Sequence, residues 1–170
     1  MTRTTRVVLP ALCLCWAACA LTACVKPEEG AHDVPPLVTY RTQAESLQAL
    51  LATSDVSNPR LEVAARGLVR AALPVLHDFA QAHPDCSDGL GLVVDAVELL
   101  DALSAAELER VWYHDGSMPP PPARCQHAQD LLIRPARLVV RLRKHETARE
   151  ALQALIAPLQ EDIRVLETVF

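Results

Sequence analysis

The chain has 170 residues, a formal charge of −5 and only five glycines. An acidic balance argues against a nucleic-acid partner, whose phosphates call for a basic face, and so few glycines leave little material for a phosphate-cradling loop. Hydrophobic residues make up 51 % of the chain but aromatics only 4 %, a composition suited to close packing of small side chains rather than to a roomy pocket.

The first two dozen residues read as an export signal. Arg3 and Arg6 give a short positive start, and Val7 to Ala20 is apolar without a charge. The run ends in Leu21-Thr22-Ala23-Cys24. This stretch resembles the lipobox of bacterial lipoproteins. The resemblance implies that the sulfur of Cys24 receives a diacylglycerol, that the chain is cut before Cys24, and that the new amino group is acylated. Two or three palmitate-type chains, at about 0.8 kcal/mol per buried methylene, hold a protein lastingly where one chain does so only reversibly. Val25 stands where enteric lipoproteins retained at the inner membrane carry aspartate, so the resemblance favours the outer membrane over the inner, with the protein facing the periplasm. Two rivals stay open on the residues alone. Val7 to Val25 is long enough to cross a bilayer uncut, although Pro10 suits a helix poorly, and an ordinary secretory signal can hold an incidental cysteine.

Removing residues 1–23, which carry two arginines and no acids, leaves 147 residues at a net −7. That is enough for one domain burying roughly 70 % of its unfolded surface. Cys13, Cys15 and Cys19 leave with the signal and Cys24 takes lipid, so Cys86 and Cys125 remain. Outside the cytoplasm such a pair is most simply a disulfide. Closing a loop of about 40 residues contributes roughly 4 kcal/mol in the chain-entropy account. Residues 24–38, rich in proline and without periodicity, read as a flexible tether, followed by a helical domain over 39–170.

Within that domain, Thr42 and Glu45 form a capping-box pattern ahead of Leu47, Leu50 and Leu51, predicting a helix over about 40–53. Asn58-Pro59 opens the next, over about 59–82, with Leu61, Ala65, Leu68, Val69, Ala72, Leu73, Leu76 and Phe79 at spacings of three and four. Pro74 should bend it. Leu90 to Leu103 predicts a helix apolar around most of its circumference. Ser104 and Glu107 form a second capping box, opening a short helix through Trp112. Arg124 to Ile133 predicts another short helix, and Pro135 restarts the pattern to the C-terminus, with a division near Thr147 to Glu150 and a bend at Pro158. Leu152, Leu155, Leu159, Ile163, Leu166 and Phe170 make its apolar seam. No stretch alternates like a strand. The fold class is all-α, an antiparallel bundle of about four to six helices closed by one disulfide.

Chemistry is harder to find. Trp112 and Tyr113 precede Asp115-Gly116 and four prolines, a stiff extended loop that can present both rings to a partner or fold them back over the end of the bundle. Arg134, Arg137, Arg141 and Lys144 recur at three, four and three, a basic stripe that either faces the acidic stretch 85–115 within the domain or offers a second partner surface. If Cys86 and Cys125 were thiolates, then with His83, His114 and His127 they would suit tetrahedral zinc, and the disulfide is the direct competitor of that site. His77 beside an apolar face reads as a boundary residue. The sequence has no CxxCH, HExxH or GxSxG. A hydrolase centred on the 112–117 loop is the weakest alternative, because a triad needs its members bonded to one another. The reading is therefore a lipoprotein of the cell envelope, anchored in a membrane at Cys24. It acts as a non-enzymatic interaction or structural module, without a cofactor or catalytic residue, beside an envelope protein partner.

Overall fold

The computed structural model describes residues 34–102, 122–144 and 148–170, with Ser104, Ala106, Glu107 and Arg110 between them. The signal segment, the lipobox and most of the tether lie outside the described residues. Among those residues the secondary structure is helical, without strands, and the helices pack as an antiparallel bundle.

Helix α1 spans Pro36–Ala52. It starts earlier than the Thr42–Glu45 pattern predicts, because Pro36 at the first helical position has its φ already set and has no N–H to leave unsatisfied. Residues 36–38 of the expected tether are therefore its first turn. Thr42 is interior to the helix, and its hydroxyl donates back to the carbonyl of Val38. Tyr40, Ala44, Leu47 and Leu51 form the buried stripe.

Helix α2, Asn58–Ala82, falls almost where the spacing predicts and runs on through Pro74. Its core face includes Val75, whereas Leu73 is partly exposed. The turn Pro84–Cys86 leads into α3, Ser87–Glu98, which starts three residues before the expected Leu90. Helix α3 buries only Leu90, Val93 and Ala96 and leaves Leu92 49 % exposed. It is an outer helix with one apolar stripe, not the all-round buried helix expected of this stretch.

The helix buried around most of its circumference is α4, Ala123–Arg143. The sequence predicts two helices here, separated at Pro135; the chain makes one. A proline in a helix interior removes the N–H that would bond the carbonyl four residues earlier, here that of Leu131, and in this fold Tyr40 replaces the missing donor (below). Helix α4 packs against α2 on one side and α3 on another. After the division near residue 148 come α5, Arg149–Ile156, and α6, Leu159–Val169, both against α4 and α1. The bend expected at Pro158 is a full break: the first helix ends at Ile156 and Pro158 stands at the N-cap of the second, because proline offers no N–H to continue the ladder.

Helix α1 runs antiparallel to α5 and α6. Arg41 pairs with Glu167, Gln160 donates to Gln48 and Gln153 donates to the carbonyl of Leu51. A continuous apolar core joins all these elements, built chiefly from Leu, Val, Ile and Ala around Tyr40 and Phe79. Among the described residues no helix is long and apolar enough to cross a membrane.

Candidate functional site

Four ionisable side chains of α4 and α6 meet beneath the surface. The Nε of Arg134 donates to Oδ2 of Asp162 at 2.9 Å, and its Nη2 donates to Oδ2 of Asp130 at 2.7 Å. Nδ1 of His127 lies 2.8 Å from Oδ1 of Asp162, so both oxygens of that carboxylate are engaged. Helical spacing places the α4 members together: 127, 130 and 134 are three and four apart and share a face. Asp162 is in the first turn of α6, where the positive end of the helix dipole favours an anion.

Asp162 is 2 % exposed and Asp130 6 %. Carboxylates so buried stay ionised only when opposite charge and hydrogen bonds replace their lost water, which Arg134 supplies to both. Beside them lies Tyr40, fully buried, whose hydroxyl donates to the carbonyl of Leu131 at 2.6 Å. Burial pushes its phenol well above the ordinary value, the charge of Asp162 adds to this, and Arg134 opposes it.

An aspartate holding a histidine nitrogen is the orienting half of a hydrolytic triad. The other half needs a hydroxyl or thiol bonded to that imidazole. Among the described residues, the hydrogen-bonding partner of the His127 ring is Asp162 alone. The arrangement has the chemistry of a buried lock between α4 and α6.

A second knot forms at the end of α3. Arg66 donates to Asp101 at 2.6 Å and Arg143 at 3.2 Å. Arg143 also donates to the carbonyls of Leu100 and Asp101, groups left without helical partners where α3 stops. The hydrogen bond from Arg66 is the main reason the Asp101 carboxyl is held below its usual range. Ser104 and Glu107 make the expected capping box: each side chain accepts from the other's backbone N–H.

The residues singled out by sequence fare differently. Cys86 and Cys125 form a disulfide with Cα atoms 5.4 Å apart. The zinc alternative thereby loses its two thiolates. Asp85 brings a third metal-competent atom near the sulfurs, yet it is paired with Arg124. His83 is bonded through Nε2 to the carbonyl of Val169, and His127 serves Asp162. His77 is exposed and bonded to Gln81. His114, Trp112 and Tyr113, with the whole 112–117 loop, lie outside the described residues.

The four cations of the basic stripe differ in their surroundings. Arg134 turns inward to the buried acids, Arg137 and Arg141 are half-buried and engaged, and Lys144 is exposed. Sequence reading missed Asp162, Asp130 and Tyr40. Asp162 was visible as an acid placed next to Ile163 on the apolar seam, and Asp130 as an i,i+4 mate of Arg134. Comparison with protein-family models, with curated proteins and with solved structures finds no match to this chain.

Proposed function

We propose that this chain is a bacterial lipoprotein whose helical head is held at a membrane through Cys24, with the outer membrane favoured. The head acts as a non-enzymatic structural or interaction module of the cell envelope. The observation that carries the reading is the Cys86–Cys125 disulfide. Once the lipobox is cut, these are the two cysteines left over from lipidation, and they are bonded to one another, as suits a protein matured outside the reducing cytoplasm. The charges that join α4 to α6 are consistent with a structural role, since the buried aspartates are satisfied by Arg134 and His127 within the fold.

The test is metabolic labelling with an alkyne-bearing fatty acid in a bacterial host. Wild-type chain takes up label and moves to the membrane fraction, whereas Cys24→Ser takes up none and accumulates uncut. Label retained by Cys24→Ser, or missing from wild type, overturns the proposal.

A further inference from the structure

We propose that the end of the bundle where α1 begins and α6 finishes rests on the bilayer that holds the lipid anchor, with Val34, Val38 and Phe170 seated among the headgroups. This rests on lipidation of Cys24.

Three of the large hydrophobic side chains left exposed gather at this end. Val34 is 58 % exposed, Val38 44 % and Phe170 53 %. The antiparallel run of α1 against α6 brings them together: Arg41 pairs with Glu167 one turn further in, so the start of α1 lies beside the end of α6 and Phe170, which follows it. The ring of Phe170 is held there edge-on to Phe79 at 5.4 Å, and the carbonyl of Val169 is bonded to His83. The apolar surface is therefore fixed in place by the core.

Along the outward face of α1 the apolar character stops after one turn. Val38 in the first turn, with Val34 just ahead of the helix, is followed by Thr42, Glu45 and Ser46, all exposed. One helical turn is about 5.4 Å, which matches the roughly 5–10 Å to which apolar side chains enter the headgroup boundary.

Chain length identifies the occupant. Cys24 and Val34 are ten positions apart, a span of at most about 35 Å. The start of α1 is therefore the part of the head tied closest to the bilayer, the far end of that helix lying about 25 Å further along its axis. A net charge of −7 on the mature chain suits a zwitterionic surface better than an anionic one.

The experiment uses acylated mature protein in phosphatidylcholine–phosphatidylethanolamine vesicles with brominated acyl chains. Trp112→Phe removes the single tryptophan of the mature chain. Onto that background go Val38→Trp, Phe170→Trp and, as a distant control, Val63→Trp, at an exposed position on α2. Intact mass first establishes acylation. The expected result is that Val38→Trp and Phe170→Trp lose most of their emission to the bromines while Val63→Trp keeps its own.

Acylated protein in which neither end variant is quenched overturns the docking and leaves the anchor standing. Equal quenching of Val63→Trp overturns the end-on arrangement. Unquenched end variants with a doubled mass in light scattering show that a second copy covers the patch, which also overturns it. Protein without acyl chains removes the anchor and this inference together.

Discussion

The hydroxyl of Tyr40 takes over the hydrogen bond that Pro135 forfeits. Proline has no N–H to offer the carbonyl of Leu131, and Tyr40 donates to that oxygen at 2.6 Å from a fully buried position on α1. The bond keeps that carbonyl satisfied where α4 passes through the middle of the bundle. Tyr40→Phe should leave the Leu131 carbonyl unsatisfied, a loss of about 1–3 kcal/mol. In a Pro135→Ala background the helix supplies its own N–H, so the same substitution should cost clearly less. Urea denaturation of the four proteins of this cycle gives the coupling; equal costs in both backgrounds would refute the link.

The same phenol makes stability depend on alkaline pH. Its folded-state value is raised above the unfolded value of about 10. A group with a raised folded value contributes fully below the unfolded value. As pH climbs from there through the folded value, the unfolded chain binds fewer protons and stability falls, by up to about 1.4 kcal/mol per pH unit. Wild type should therefore lose stability faster than Tyr40→Phe above about pH 10. Parallel curves would show that Tyr40 does not titrate against the fold.

Asp162 is the carboxylate joining α6 to α4. Asp162→Ala strips His127 of its partner and leaves Arg134 with Asp130 alone. A loss of about 3 kcal/mol is expected, the low end for a broken buried pair, because one carboxylate remains. Thermal and urea unfolding report it, and hydrogen exchange should rise first in α6. An unchanged midpoint would mean that the cluster does not lock the two helices.

The disulfide closes a loop spanning 39 residues between the start of α3 and α4. The paired substitution Cys86→Ala with Cys125→Ala should cost roughly 4 kcal/mol through the freed unfolded chain. Wild type in reductant should unfold at the same denaturant concentration as the variant. No shift in either would place the stabilisation elsewhere.

What was legible in the sequence was local. Helix α2 was readable because its apolar residues and Asn58-Pro59 are neighbours in sequence, and the capping box at Ser104 for the same reason. The cysteine pair was readable by elimination once four others were assigned to the signal and lipid. The continuity of α4 was not, because the donor that rescues Pro135 lies 91 residues from the carbonyl it bonds. The inward turn of Arg134 depends likewise on Asp162, 28 residues away on α6; read alone, four cations at helical spacing look like a surface. The start of α3 was not legible because Gly89 and Gly91 weaken its first turns on propensity.

The decisive quantity is the intact mass of the protein isolated from its native cells. The account predicts a chain beginning at Cys24, heavier by a diacylglycerol and a further acyl chain, and lighter by the two hydrogens lost in joining Cys86 to Cys125. A full-length, unacylated chain with free thiols at those positions would contradict it.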